Sequence, residues 1–147
     1  MTRRNKKIYL PSVKKPLFDY QIIRYAEKYK VPYFRGIFFR DTLPRRTSPR
    51  VNESAVINLD LIKNPGTHWV CYIKRKSTIW YFDPLGNVSP PVEILKYFGS
   101  KNEVYYNFRA QQSLNTVNCG HLCLRYLIAG PPTTMRKRKK NINKLVL

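Results

Sequence analysis

Acidic residues, histidines and long apolar runs are scarce in this 147-residue chain. Only eight aspartates and glutamates stand against 28 lysines and arginines, and there are two histidines and three cysteines. An odd number of cysteines without scaffold spacing argues against a secreted disulfide framework and favours a reducing compartment. No apolar run approaches the length that crosses a bilayer, so we expect no membrane segment.

The positive charge is concentrated at the two ends of the chain. Residues 1–50 contain 14 basic and three acidic residues, residues 131–147 contain six basic and none acidic, and the middle holds eight basic and five acidic. Such ends suit a polyanion, either nucleic acid or an import receptor, and by default they form solvated segments. The side chains expected to contact phosphates are Arg3, Arg4, Lys6, Lys7, Arg136, Lys137, Arg138, Lys139 and Lys140.

Hydrophobic patterning predicts one α+β domain over residues 17–130, between a basic arm at 1–16 and a basic tail at 131–147. Residues 33–53 mix aromatics with Arg, Pro and Gly and are predicted to be an irregular connection. The predicted strands are "AVINLDLI", "THWVCYIK", "TIWYFD" and "EVYYNF".

Three segments have helical character. Apolar residues recur at helical spacing from Asp19, a candidate N-cap, to about Lys30. "PPVEILKYF" predicts a short helix, and the last helix is predicted from about Cys119 to Ala129, where "GPP" ends it.

A cysteine stands at the start of the last predicted helix, in "QQSLNTVNCGHLCLRYL". Backbone N–H groups and the helix dipole favour an anion there, so the Cys119 thiolate is expected to be reactive. The Cys119 N–H is one donor for a developing oxyanion, and the side-chain amide of Gln112 is a candidate for the second, with Gln111 as the alternative. Gly120 is expected to let a substrate backbone approach closely.

A thiolate nucleophile also needs a base, and the chain offers two histidines. His121 lies two positions past Cys119 on the same predicted helix, about 200° around its axis, so its ring cannot face the thiol. His68, in "GTHWV", is therefore the candidate base.

Hairpin geometry selects the group that orients the base. If the two central β-rich runs are antiparallel and Lys74 pairs with Ser77, His68 lies directly across from Asp83 on the same sheet face. Asp83 can then hold the imidazole tautomer and stabilise the imidazolium. Asp60, at the end of another predicted strand, is the alternative orienter.

The other thiols have simpler interpretations. A metal site from Cys119, His121 and Cys123 is not expected, because alternate residues diverge on a helix and the chain has no CxxC pair. Cys71 and Cys123 are predicted to be structural, and Trp69 to belong to the core or to the wall of the site.

The order His-Trp, Asp-Pro-x-Gly, Gln and Cys-Gly resembles the adenovirus protease (adenain) family. It is more distantly similar to the SUMO- and NEDD8-processing cysteine proteases, whereas papain-like enzymes place the cysteine first. The resemblance spans roughly residues 20–130; "GTHW" and "NCGHLC" are its sharpest parts, and "YFRGIFFRDTLP" resembles a stretch near the start of those enzymes.

The resemblance implies an α+β fold with the nucleophile helix packed against a small mixed sheet. It implies a cysteine endopeptidase that cleaves Gly-containing sequences in viral precursor proteins, in the host nucleus or the virion, without a cofactor for the chemistry. Some members are stimulated by viral DNA and by a short basic viral peptide joined through a disulfide. The implied roles are Cys119 as nucleophile, His68 as general base and acid, Asp83 as orienter, Gln112 as oxyanion donor, and Trp69 and Gly120 as substrate contacts.

The chain departs from the adenoviral pattern in three ways. The orienter is Asp, as in the cellular relatives, where the adenoviral enzymes commonly have Glu. No cysteine lies around Lys101–Tyr106, so activation through a disulfide-linked peptide is not expected. The chain ends soon after the nucleophile helix, which suggests that a partner or a dimer supports that helix.

Two other classes of function are compatible with these residues. The first is an isopeptidase for ubiquitin-like proteins, which shares the chemistry but acts on another substrate. The second is a basic DNA-binding core protein on an inactive protease fold, and the complete set of catalytic residue types argues against it.

Overall fold

The computed structural model describes residues 7–60, 68–112, 116–132 and 142–145, which form a mixed α+β domain as predicted. Among these residues no helix is both long enough and apolar enough to cross a bilayer. In chain order the elements are α1 (Asp19–Lys28), β1 (Phe34–Phe39), α2 (Leu43–Arg46), β2 (Asn52–Asn58), β3 (Trp69–Arg75), β4 (Thr78–Phe82), α3 (Val92–Phe98), β5 (Glu103–Asn107), α4 (Cys119–Ala129) and β6 (Ile142–Lys144).

The strands form one mixed sheet in the order β1-β2-β3-β4-β5-β6. β1 pairs parallel with β2 and β4 parallel with β5, and the remaining neighbours are antiparallel. The central hairpin of β3 and β4 therefore lies in the middle of the sheet, where hydrogen bonds on both sides fix its backbone.

Both faces of the sheet are covered, because alternate residues of β3 enter different cores. Cys71 and Ile73 pack with α1 and α4 on one face, whereas Val70 and Tyr72 pack with α3 on the other. Fully burying one large apolar side chain contributes roughly 1.5–3 kcal/mol. The two cores therefore hold the hairpin in place from both faces and leave its ends free to carry functional groups.

Helix α4 has the predicted bounds, and the glycine that follows it ends it. Gly130, at φ +84°, donates its N–H to the carbonyl of Tyr126 at 3.1 Å. Leu124 and Leu127 are buried against the sheet, so the helix is fixed along its length and presents Cys119 at its first turn.

Helix α1 begins one residue before the predicted start. Asp19 is its first helical residue rather than its N-cap, and Phe18 occupies the cap position. The Phe18 N–H donates to Gln21 Oε1 at 2.9 Å, which is the half of a capping box in which the third helical residue accepts the N–H of the cap residue.

The prediction that residues 33–53 are irregular is wrong, because β1, α2 and the start of β2 lie in this range. Gly36, at φ +112°, lies where the β1–β2 register shifts between Phe34 and Ile37. This bulge interrupts the alternation of side chains, and every residue of β1 is only partly buried, so the sequence lacks a period-two pattern here.

The predicted register of the central hairpin is wrong by two residues. Arg75 pairs with Thr78, and Lys74 pairs with Ile79 instead of Ser77. The turn contains two residues, and its first, Lys76, adopts φ +53°, which a lysine rarely signals in a sequence. A slip of two residues keeps each side chain on its sheet face, so the predicted face of Asp83 survives the error.

Parts of both basic ends pack on the domain. The Tyr9 N–H donates to the Tyr29 hydroxyl at 2.7 Å, and the Pro11 carbonyl lies 3.1 Å from His121 Nε2. Near the other end, β6 pairs antiparallel with β5 at the edge of the sheet. A three-residue edge strand within a basic segment carries too little pattern for prediction.

Candidate active site

The first turn of α4 opens onto a cleft of about 630 Å³. Cys119 is 6% exposed and lines this cleft. The other lining residues come from the chain before α1, from α1 itself, from β1, from the ends of β2 and β3, and from the loop before α4. They are Pro16, Leu17, Phe18, Asp19, Ile23, Ile37, Phe39, Asn58, Trp69, Gln112, Thr116 and Val117.

Cys119, His68 and Asp83 are in contact, as the sequence predicted. His68 Nε2 lies 2.8 Å from Asp83 Oδ1, and the imidazole also shares a hydrogen bond with the Cys119 thiol. Because Nε2 is engaged by the carboxylate, Nδ1 is the nitrogen left for sulfur. The Trp69 N–H also points at Cys119 Sγ, at 3.5 Å.

His68 and Asp83 meet at the open end of the hairpin, one residue before β3 and one residue after β4. Continuing the observed register beyond Cys71 and Phe82 places Asp83 opposite Val70 rather than opposite His68. Diagonal neighbours on one face of an antiparallel pair lie roughly 7–8 Å apart, within reach of two polar side chains. The alternative orienter Asp60 is not needed to explain the position of the ring.

The three groups shift one another's protonation. Burial by itself would lower the pKa of His68, but the hydrogen bonds to Asp83 and Cys119 outweigh it and raise the pKa to about 9. Burial would raise the pKa of the Cys119 thiol, but the bonds from His68 and from the Trp69 N–H lower it below its ordinary value. Both shifts favour a thiolate–imidazolium pair at neutral pH.

These shifts set the expected pH dependence of any reaction that uses the pair. The reactive form contains deprotonated Cys119 and protonated His68, so kcat/KM should rise as the thiol ionises and fall as the imidazolium loses its proton. Because the pKa of His68 is raised to about 9, the alkaline limb should lie near pH 9. A kcat/KM profile that falls near pH 6.5 instead would show that His68 is not paired in this way.

Gln112 lies in the cleft and Gln111 does not. Gln112 is 8% exposed and lines the cleft, whereas Gln111 is exposed. Gln112 Nε2 donates to the Thr116 carbonyl at 2.8 Å, and its Oε1 is buried without a partner. An amide nitrogen carries two hydrogens, so one remains for a second acceptor in the cleft.

The two expected substrate contacts have different surroundings. Trp69 lines the cleft, and its indole N–H donates to the Leu17 carbonyl at 3.3 Å. Gly120 is buried, and a Cβ there would lie 3.3 Å from Leu17 and from Trp69 and 3.4 Å from Ile22. The expectation that Gly120 gives room to a substrate backbone is therefore wrong, because core side chains already occupy that space.

The remaining histidine and cysteines are structural. His121 is 1% exposed and bonded to the arm, and burial lowers its pKa. Cys71 on β3 and Cys123 on α4 belong to the core between the helix and the sheet, where burial raises the pKa of the Cys123 thiol well above its ordinary value. Their predicted structural roles agree with this placement.

The sequence did not predict the wall of the cleft. Pro16–Asp19 and Ile23 form one side of it, and Ile37, Phe39 and Asn58 belong to the other. Part of the signal is readable in retrospect: "PLFD" places two apolar residues directly before a helix, and Phe18 remains 59% exposed. Phe18 stacks on Tyr20, which is also exposed, and a contiguous exposed apolar patch, unlike a single exposed side chain, is typical of a contact surface.

Of the side chains expected to bind phosphates, Lys7 is described, and it is exposed. Arg3, Arg4, Lys6 and residues 136–140 lie outside the described residues.

Comparison with known proteins does not identify the chain. No protein-family model matches it, and no curated protein sequence matches it. The functional assignment therefore has to rest on the residues of the cleft.

Proposed function

We propose that this protein is a cysteine endopeptidase of the adenain type that processes viral or virus-derived precursor proteins. The observation that carries the proposal is the contact of Cys119, His68 and Asp83 at the start of a buried helix that faces a cleft. This combination provides a nucleophile, a base and an orienting carboxylate, which are the groups that acyl transfer requires.

In the first half of the reaction, the Cys119 thiolate attacks the carbonyl carbon of the scissile peptide bond and forms a tetrahedral intermediate with a negatively charged oxygen, the oxyanion. The intermediate collapses when the C–N bond breaks, and the His68 imidazolium gives its proton to the leaving amine. The product is a thioester between the substrate acyl group and Cys119, with neutral His68 beside it.

In the second half, His68 takes a proton from a water molecule while the water oxygen attacks the thioester carbonyl. A second oxyanion forms and the C–S bond breaks. The carboxylic acid product dissociates, and the thiolate–imidazolium pair is regenerated. Asp83 stays ionised throughout, because its task is to hold the ring and stabilise the imidazolium.

Two donors are available for the oxyanions. The Cys119 N–H is the first, since a helix N-terminus leaves its N–H groups unpaired. The second is the hydrogen of Gln112 Nε2 that is not bonded to Thr116. Such donors act mainly on the transition state, where the charge develops.

Gln112→Ala should therefore lower kcat on the order of 10²-fold, while KM barely changes. Gln111→Ala is the matched control, because Gln111 is the neighbouring residue of the same type but is exposed. Steady-state kinetics on one peptide decides the point. A larger loss in the Gln111 variant than in the Gln112 variant would reverse the assignment.

The lining of the cleft favours an extended peptide with large apolar side chains. Leu17, Phe18, Ile23, Ile37 and Phe39 supply apolar surface in the cleft that Cys119 also lines. Cleavage at Gly-containing sites is proposed from the family resemblance. A Gly-Gly peptide pool tested beside ubiquitin-like conjugates separates the endopeptidase from the alternative isopeptidase.

We further propose that the basic ends hold the enzyme on nucleic acid in the nucleus or virion. The arm and the tail carry most of the net charge of +20, whereas thiol chemistry does not need it. On duplex DNA, each neutralised phosphate adds ~−0.9 to the slope of the logarithm of the binding constant against the logarithm of the salt concentration. For both ends together we expect a slope of about −4 or steeper.

Salt-dependent DNA binding tests this partner. The basic residues within 1–6 and 133–140 are replaced by neutral ones, so that β6 is kept. This change should flatten the salt dependence of DNA affinity and leave cleavage of a short neutral peptide largely intact. Equal duplex affinity of the full-charge and neutralised proteins at low salt would leave nuclear import as the role of the basic runs.

A further inference from the structure

The last residue of β5 holds the backbone of the orienting carboxylate. Asn107 Oδ1 accepts the Asp83 N–H at 2.8 Å, and Asn107 Nδ2 donates to the Asp83 carbonyl at 2.7 Å. One side-chain amide therefore satisfies both backbone groups of Asp83. Asp83 lies beyond the paired part of β4, whereas Asn107 is held in β5 by its pairing with Ile142 of β6.

This amide continues the sheet where the strands stop pairing. Strand β4 ends at Phe82, and its last pair with β5 joins Tyr81 to Tyr106. Asp83 lies one residue beyond β4, where backbone partners would normally be lost. The Asn107 amide has the same donor and acceptor as a peptide group, so it replaces the missing strand neighbour.

A fixed backbone at Asp83 gives its side chain one orientation. Asp83 Oδ1 accepts the Leu85 N–H at 2.9 Å and lies 2.8 Å from His68 Nε2. Since the carboxylate is almost fully buried, a rotation of its backbone would move it away from the ring without water to replace the bond.

The same side chain also reaches the loop that leads to Gln112. Asn107 Nδ2 donates to the Arg109 carbonyl at 3.1 Å, and the Gln112 N–H donates to the Pro84 carbonyl at 2.9 Å. Gly86, at φ +78°, closes the turn after Asp83; a Cβ there would lie 2.3 Å from the Ala110 nitrogen. The turn and the loop thus lock together, with Asn107 bonded to both.

We propose that Asn107 is the positioning residue that holds Asp83 against His68 and anchors the Gln112 loop. Its consequence for catalysis rests on the proposed function, whereas its consequence for the His68–Asp83 contact does not. Aspartate in its place would keep the acceptor for the Asp83 N–H and lose both donors, and alanine would lose all three bonds.

Two readouts on the full chain separate positioning from a structural role. The first is the pKa of His68 from the NMR titration of its ring protons, assigned with His68→Ala. Asp83 and Cys119 are the charged groups that act on this ring among the described residues, so its pKa reports their placement. The second is kcat and KM for a cleaved peptide.

Asn107→Ala should lower the pKa of His68 from about 9 toward its ordinary value and reduce kcat about tenfold or more, with KM little changed. Asn107→Asp should lie between Asn107→Ala and the wild type. Asn52→Ala is the matched control: Asn52 is also a strand-terminal asparagine, and its Oδ1 accepts the Lys76 N–H at 3.2 Å at the far end of the hairpin.

An Asn107→Ala protein with the same His68 pKa and kcat as Asn52→Ala would overturn the proposal. If the alanine variant does not fold, the same comparison is made with Asn107→Asp, and an unchanged His68 pKa there overturns it equally. If the wild type cleaves no peptide, the proposed function fails, and the His68 titration alone still decides the role of Asn107.

Discussion

The Cys119→Ala protein is expected to cleave no peptide and to resist labelling by a cysteine-directed electrophile. Removing the nucleophile removes the covalent route, and in triad enzymes such a change costs on the order of 10⁶-fold in kcat. The fold should tolerate the change, because alanine favours a helix and the substitution removes only one sulfur atom from a side chain that lines the cleft. Peptide cleavage and intact-protein mass spectrometry measure the two effects.

The other two cysteines provide the controls for this experiment. Cys71→Ala and Cys123→Ala should keep both cleavage and labelling, since both thiols are fully buried in the core between α4 and the sheet. Equal labelling of the Cys119→Ala protein and the wild type would remove Cys119 from the nucleophile role.

The second large effect is expected at Asp83. Asp83→Ala should lower kcat on the order of 10³-fold, far more than it raises KM, because the imidazole loses its orientation and the imidazolium loses its counter-charge. Asp83→Glu should retain part of the rate, since it keeps a carboxylate on a side chain one methylene longer. Steady-state kinetics of the two variants, with circular dichroism as the check on folding, measures this.

The pH profile distinguishes this role from a loss of stability. With Asp83→Asn the alkaline limb of kcat/KM should move from near pH 9 toward the ordinary pKa of histidine, because the largest effect that raises the pKa of His68 is gone. Asp60→Asn is the control for a nearby carboxylate. If the alkaline limb of kcat/KM moves in the Asp60→Asn protein and stays in the Asp83→Asn protein, then Asp60 rather than Asp83 orients His68.

The sequence could predict which residues meet in the site, because that prediction does not depend on the exact register of the hairpin. His68 and Asp83 were expected to meet directly across a hairpin, and they meet at its open end, two residues out of register, since the turn lies at Lys76 and Ser77. A side chain's face depends only on whether the register error is even, so the contact survived a wrong register. The bounds of α4 were predictable because Gly130 and the prolines after it end the helix unambiguously.

Other features could not be predicted, because nothing local signals them. Strand β1 carries a bulge at Gly36 and buries no residue fully, and β6 is too short for a pattern. Gly120 followed the candidate nucleophile and suggested room for substrate, yet its neighbours Leu17 and Trp69 come from distant parts of the chain. Which side of a helical glycine faces the core is decided by tertiary packing.

If Cys119 attacks an acyl carbon, an acyl-enzyme must form on its sulfur, and trapping that species is the decisive experiment. The full chain is mixed with a pool of peptide aryl esters that end in glycine, quenched in acid within seconds, and digested for mass spectrometry. We expect one acyl group, on Cys119, in the wild type and none in Cys119→Ala. Acyl groups on lysines or on Cys71 and Cys123, with Cys119 unmodified, would contradict it.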